Sequence, residues 1–289
     1  MQNQKRIKQL ELYAAKCRQN VMHMIRAGGH GHVGGALSAI DVVTALYFDK
    51  MNVDPKNPKM ENRDRFLLSA GHKCLSQYAV LAEKGYFDKA ILKSYGSFKS
   101  LIPGHPDMHK LPGIEANTGA LGHGMSIAAG MAMAAKQNGS SFNVYVVTGD
   151  GELPEGSNWE AAAAAAKFGV DNLTVFVDNN GLQISGKVTD VMNMEDISGK
   201  FKSFGWSAIE IDGNNMEELV NTLDKLPIQE GKPTAVIMHT TKAKGLYAGE
   251  NKPEYHFWNP TEEDLDKADK DLEMLVAKLE KELEEKRND

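Results

Sequence analysis

Val144-Tyr-Val-Val-Thr-Gly149-Asp150-Gly151-Glu152, followed by Val175-Phe-Val-Asp178-Asn179-Asn180, is the stretch that decides the fold. Each half opens as an apolar, β-branched run and ends in turn residues, the pattern of a buried strand running into a loop. The first loop carries Asp150 between two glycines, and the second carries an acid and two amides. Together they set a carboxylate and a side-chain carbonyl at neighbouring strand ends, the donors that a hard divalent cation on phosphate oxygens takes. A lone Gly-Asp-Gly is also an ordinary turn held by an Asx hydrogen bond. The metal reading accounts for Asn180 as well, whose carbonyl oxygen ligates without adding charge. Backbone N–H groups of the turn, and of a helix expected to begin near Ser157, favour phosphate oxygens.

Working outward, apolar residues recur at helical spacing from Ile7 to Ile25, and Gly28-Gly29 stops that helix. Further helices are expected from Ser38, with Asp41 in the first turn, to about Phe48, then over Leu75–Lys84 and Gly122–Lys136. Others are expected from near Ser157 through Ala161–Ala166, near 195–204 and over 215–225. Strands are expected at Arg65–Ser69, 143–148, 173–178, Ser207–Ile211 and Thr234–His239. This alternation implies an α/β fold, a mainly parallel sheet with helices on both faces. Ligands of such sheets sit outside the carboxyl ends of the strands, where both loops fall. Residues 96–118, rich in Gly, Pro and His, make a loop of the length usually reserved for function. Leu265, Ala268, Leu272, Leu275, Leu279 and Leu283 form the apolar stripe of an amphipathic helix at about 261–287, expected to pack on the domain. A partner-binding helix is the alternative there. No linker or repeat divides the chain, so residues 1–289 read as a single domain.

Composition narrows the functional classes. The 289 residues are 42% hydrophobic and 25% charged, which suits a globular protein with a sizeable core. A formal charge of -6 with no basic patch argues against nucleic-acid binding. No run approaches the ~18 apolar residues of a membrane span. The polar start Met1-Gln-Asn-Gln-Lys-Arg lacks an apolar signal core. Cys17 and Cys74 show no zinc-like spacing and read as small core residues in a reducing compartment. The expected location is cytoplasmic.

His30, His32, His72, His105 and His123 all abut glycine, which lets backbone and ligand approach closely. One such histidine is ordinarily a capping or packing residue; several in similar loops point to a site. Imidazole donates to phosphate or sugar oxygens and titrates near neutrality. A zinc site is disfavoured, because no His-x-x-x-His pair is present and the oxygen donors Asp150 and Asn180 suit a harder ion.

The motifs, in this order, resemble the N-terminal, diphosphate-binding half of transketolase, a thiamine diphosphate enzyme. The likeness covers almost the whole chain. Its landmarks are Gly31-His32-Val-Gly-Gly35, Arg63-Asp-Arg-Phe-Leu-Leu-Ser-Ala-Gly-His72, Pro103-Gly-His105-Pro, Thr118-Gly-Ala-Leu-Gly-His-Gly124, the Gly149 motif, and Lys242-Ala-Lys-Gly245 with His256. The resemblance implies that Asp150, Asn180 and the backbone carbonyl of Leu182 ligate magnesium or calcium on the cofactor diphosphate. Gly151 is matched to a backbone N–H that meets the diphosphate, and Gly149 and Glu152 belong to the same cofactor loop. His72 and His256 are placed near the diphosphate and reacting centre, and His32 and His105 against the donor sugar's hydroxyls. These four histidines are the expected catalytic set. Leu121 is matched to a residue beside the cofactor rings, His123 to a cofactor contact that is glutamine in some relatives, and Glu155 to a link between paired active sites. Val33 stands where a proline commonly follows the first family histidine.

Transketolases are far longer, and the portion beyond this chain carries the pyrimidine-binding domain with the glutamate that activates the cofactor. Glu152, Glu155 and Glu160 lie too near the diphosphate motif to replace it. The resemblance therefore implies half of an active site: the N-terminal subunit of a split transketolase, joined to a separate C-terminal subunit in a two-plus-two heterotetramer. Its reaction would be that of the pentose phosphate pathway, moving a two-carbon ketol unit from a ketose phosphate, by default xylulose 5-phosphate, to an aldose phosphate. The alternatives are a deoxyxylulose phosphate synthase-like or 2-oxo acid decarboxylating subunit, and a non-catalytic scaffold subunit.

Overall fold

A computed structural model describes residues 2–288. The helices α1 (Gln2–Gly28) and α2 (Val33–Ala45) lead to the strand β1 (Arg65–Leu68). Then come α3 (Cys74–Lys84), α4 (His123–Gln137), β2 (Val144–Gly149), α5 (Gly156–Lys167) and β3 (Leu173–Asn179). A short antiparallel hairpin follows, β4 (Leu182–Gln183) with β5 (Gly186–Lys187), and a single turn α6 (Val188–Val191). The chain closes through α7 (Ile197–Ser203), β6 (Ser207–Asp212), α8 (Met216–Leu223), β7 (Thr234–His239) and α9 (Glu262–Asn288).

The main sheet is parallel, in the order β1-β2-β3-β7-β6. Gly149 is level with Asp178, and Asp178 with Met238, so the central strands finish together at one edge. Phe66, Leu68, Tyr145, Val147, Phe176 and Met238 pack on the side of α1, α2, α3 and α8. Their alternates Leu67, Val144, Val146, Val175, Val177 and Ile237 pack with α4, α5 and α7. Helices thus cover both faces, as the alternation predicts. Burial of both faces is also why these strands read as unbroken apolar runs.

The terminal helices hold each other. Lys8 pairs with Glu282 at 3.1 Å and Arg26 with Asp269 at 2.8 Å, so α1 and α9 run antiparallel. Leu12 and Ala15 meet Leu279 and Leu283 between them. The stripe at 261–287 therefore packs on this chain. Cys17 and Cys74 are both buried and free. Among the described residues, no helix is long and apolar enough to cross a membrane.

Helix α2 departs from the sequence reading. It begins at Val33, ahead of the expected Ser38, and every residue in it is buried. Gly34 and Gly35 look like loop residues but serve as contact points. A Cβ at Gly34 would come 2.6 Å from the Tyr255 carbonyl oxygen, and one at Gly35 would come 3.0 Å from the Lys73 stem. Close approach, and not chain flexibility, explains glycine here. The hairpin β4–β5 and the turn α6 are absent from the sequence reading because two to four residues carry no readable period.

Candidate functional site

A cavity of about 320 Å³ opens at the carboxyl ends of the strands. His32, His72, Leu121, Gly149, Asp150, Gly151, Glu152, Asn180, Leu182 and His256 all line it. His105 is not a lining residue, but its ring lies 6.2 Å from that of His32. His123 opens α4 with an exposed ring whose Nδ1 is 3.1 Å from the Leu121 carbonyl oxygen, outside the cavity lining. Glu155 is exposed where α5 begins.

The centre of the cavity is an oxygen cluster set by β2 and β3. Asp150 is 3% exposed, and its carboxylate accepts the Gly151 N–H at 2.7 Å and the Gly181 N–H at 2.6 Å. The expected diphosphate donor Gly151 is thus turned onto Asp150 in this structure. Burial pushes the Asp150 carboxyl up to about 6, against the opposing charge of Lys73.

Behind it, the fully buried Asp178 accepts from Lys73 Nζ at 2.5 Å, the Ser38 hydroxyl at 2.6 Å and the Thr240 hydroxyl. The Asn180 amide nitrogen donates to Asp178 at 3.2 Å and to Ser38 Oγ at 3.3 Å. With the nitrogen so engaged, Oδ1 faces the other way and accepts the Leu182 N–H at 3.2 Å. The Leu182 carbonyl in turn accepts from Lys242 Nζ at 2.9 Å.

Asp150, Asn180 and Leu182 offer a carboxylate, an amide oxygen and a peptide oxygen, an all-oxygen set that suits magnesium or calcium. Among the described residues, no group of three or more His, Cys, Asp or Glu is arranged to hold a metal. A cation in this cradle would complete its shell with oxygens from outside the protein, which is what a diphosphate supplies.

Glu152 lines the cavity and also braces its turn. Its carboxylate accepts from the Ser69 hydroxyl, the Gly122 N–H at 2.8 Å and the Gly149 N–H at 3.1 Å. Those bonds tie the Gly149 turn to β1 and to the start of α4. At the start of α5, Ser157 Oγ donates to the Gly122 carbonyl at 2.9 Å, and Ser157 does not line the cavity.

Three imidazoles from three elements also line the cavity. His32 precedes α2, His72 lies in the turn after β1, and His256 lies in a short turn after β7. Their ring centroids are 5.2 to 5.5 Å apart. Burial lowers the His32 imidazole to about 4 and that of His256 to about 3, and holds His72 well below the ordinary range. Lys73 beside His72 and Lys242 beside His256 push the same way. All three rings are therefore neutral near pH 7, each with one donor and one acceptor nitrogen. Nζ of Lys242 lies 3.1 Å from Nδ1 of His256, which makes Nδ1 the acceptor and leaves the proton on Nε2.

Sequence reasoning gave no role to Lys73, Lys242 or Asp178, all buried here. The signal that could have found the lysines is Gly34-Gly35. A Cβ at Gly34 would meet the stem of Lys242 at 3.0 Å, and one at Gly35 that of Lys73 at 3.0 Å.

Oxygen-bearing residues and neutral histidines thus line one cavity at the carboxyl edge of a parallel sheet, where folds of this class bind their ligands. Residues 10–278 match the family described as transketolase, thiamine diphosphate binding domain, and the chain belongs to it. It is similar to one subunit of the apulose-4-phosphate transketolase of Phocaeicola vulgatus, 41% identical over 276 residues that take in 96% of this chain and 98% of that one. It is 40% identical over 254 residues to a 6-deoxy-6-sulfo-D-fructose transketolase subunit of a Clostridium species, covering 88% of this chain and 90% of that one. The solved transketolase of Campylobacter jejuni matches with a TM-score of 0.85 at 29% identity, over 93% of this chain and 45% of that chain. The chain therefore has the fold of the diphosphate-binding part of transketolases and spans less than half the length of that solved enzyme.

Proposed function

We propose that this chain is the thiamine diphosphate-anchoring subunit of a two-chain, cytoplasmic transketolase. Joined to a separate C-terminal subunit in a two-plus-two heterotetramer, it moves a two-carbon ketol unit from a ketose phosphate to an aldose phosphate. Residues 1–289 act as one diphosphate-binding domain. The observation that carries the reading is that Asp150, Asn180 and Leu182 line one cavity together with His32, His72 and His256. The names of the two similar subunits support a partner chain and a sugar or sugar-phosphate substrate.

Asp150, Asn180 and Leu182 would hold magnesium or calcium against the diphosphate. Bound thiamine diphosphate supplies the electron sink for breaking and forming the carbon–carbon bond. The histidines do the positioning. A neutral imidazole both donates to and accepts from sugar hydroxyls, so His32, with His105 beside it, can orient a polyhydroxy ketose without adding charge. His256, protonated on Nε2, has that donor free for a substrate oxygen. Lys242 keeps the tautomer, and through Leu182 couples it to the metal cradle.

The test is ketol transfer from xylulose 5-phosphate to ribose 5-phosphate by the chain alone and with a C-terminal subunit. Activity in the mixture, dependent on thiamine diphosphate and magnesium and lost in Asp150→Ala, is the expected result. Robust transfer by the chain alone overturns the split-site reading. Transfer by Asp150→Ala with unchanged magnesium dependence overturns the metal assignment.

A further inference from the structure

Lys73 is 3% exposed, and the fold provides a channel for it. It follows His72 in the turn after β1, and its side chain runs between two glycines. A Cβ at Gly35 would stand 3.0 Å from its Cγ and Cε, and one at Gly149 would stand 3.3 Å from its Nζ. The ammonium thus ends beside the Gly149 turn, and Lys73 lines the same cavity as Asp150 and Asn180. Nζ donates to Asp178 at 2.5 Å, while an ammonium has three donors to offer. Asp178 already accepts from Ser38, Thr240 and Asn180. The pairing with Lys73 neutralises that buried acid, and the ammonium's remaining donors are left for another acceptor at the cavity. Lys242, also a buried ammonium, is engaged by the Leu182 carbonyl and His256.

Charge balance points the same way. The buried acids Asp150, Glu152 and Asp178, when ionised, outnumber the charge on a divalent cation. The metal alone leaves the cradle anionic and repels a diphosphate; the two buried lysines reverse its sign.

We propose that Lys73 is a resident cation for the cofactor diphosphate, contacting a phosphate oxygen beside the metal. This deepens the thiamine diphosphate reading of the cavity and rests on it. A fixed ammonium shares the phosphate charge with the metal, so losing Lys73 also makes binding more dependent on magnesium.

Calorimetry of magnesium pyrophosphate and of thiamine diphosphate tests it on the unaltered chain, on Lys73→Met and on Lys73→Met/Asp178→Asn. The double variant keeps the charge balance of the buried pair, so a lysine that only partners Asp178 predicts recovered affinity. The expected result is a loss of at least about tenfold for both ligands in both variants. It comes with a steeper magnesium dependence and partial rescue by Lys73→Arg. Unaltered affinity in the double variant overturns the proposal. If the variants do not fold, a crystal structure of the unaltered chain with magnesium pyrophosphate decides. Nζ within about 3 Å of a phosphate oxygen supports the assignment, and Nζ bonded to Asp178 alone overturns it. If neither ligand binds even when the unaltered chain is joined to its C-terminal subunit, the cofactor reading and this inference fail together. Binding that ignores Lys73 defeats this inference only.

Discussion

The Asn180 amide nitrogen donates to the Asp178 carboxylate at 3.2 Å, and this bond aims the amide oxygen away from the buried acid. Asn180→Asp would place a second carboxylate beside Asp178, which is fully buried. The new carboxyl's folded pKa rises above its unfolded value, so its ionisation opposes folding once the pH exceeds about 4. The variant is expected to be less stable at about pH 8 than at about pH 5 relative to the unaltered chain, with magnesium restoring part of the loss. Urea denaturation at the two pH values checks it; an equal deficit at both would sink the argument.

Glu152 accepts from three donors on three segments: Ser69, Gly122 and Gly149. In Glu152→Gln an amide N–H2 replaces one acceptor and faces donors. A loss of about 1–3 kcal/mol is expected, seen as a lower urea midpoint. Because the carboxylate braces the Gly149 turn, magnesium-dependent cofactor affinity should fall with it. Unchanged stability would mean that the brace is dispensable.

Gly34→Ala sets two effects against each other. Alanine favours a helix interior by about 1 kcal/mol. Its Cβ, however, would lie 2.6 Å from the Tyr255 carbonyl oxygen, in backbone that cannot rotate away. The clash wins, with a net cost of about 1–3 kcal/mol. The shift should reach the neighbouring His256 and appear in its imidazole NMR signals, which stay in place if the helix end simply slides.

The histidine wall sets a pH dependence. Burial brings His32 to about 4 and His256 to about 3, below the unfolded value of about 6.5. Between those values the unfolded chain binds more protons, so stability rises with pH. The contribution is complete above about 6.5 and is lost as the pH falls through about 4 for His32 and about 3 for His256. Histidine NMR should show these rings still neutral near pH 5, where a free imidazole is protonated. Ordinary titration near 6.5 would show that the wall is not dry.

Asp150 adds a second pH effect. Its carboxyl is held up to about 6, and a protonated carboxyl is a poor metal ligand. Magnesium-dependent thiamine diphosphate affinity should therefore weaken as the pH drops below about 6. Calorimetry at several pH values reads this directly, and Asp150→Asn should flatten the profile.

Much of this molecule is legible along the chain. The runs at 144–149 and 173–179 become central parallel strands, and Leu265 to Leu283 pack as a helix stripe. Asp150, Asn180, His32 and His72 stand out because glycines and strand ends flank them. Paired glycines normally mark a loop, and at Gly34-Gly35 that rule hides the start of α2. Glu152 is legible as part of the Gly149 loop, but its commitment to Ser69 and Gly122 is not.

The order of elements and the identity of the motif residues follow from the sequence by itself. Turn chemistry, helical period and apolar runs are local signals, complete within a few residues. Only the tertiary structure decided which groups share the site. Lys73 and Asp178 are 105 positions apart, and Lys242 and Leu182 are 60 apart. They meet because the strands align in the order β1-β2-β3-β7-β6, bringing their carboxyl ends to one edge. Strand order is set by how two helical layers cover one sheet, a property of the whole packed chain. Burial then tunes what proximity supplies: away from water, Lys73 and Asp178 persist as a pair, and the histidines stay neutral.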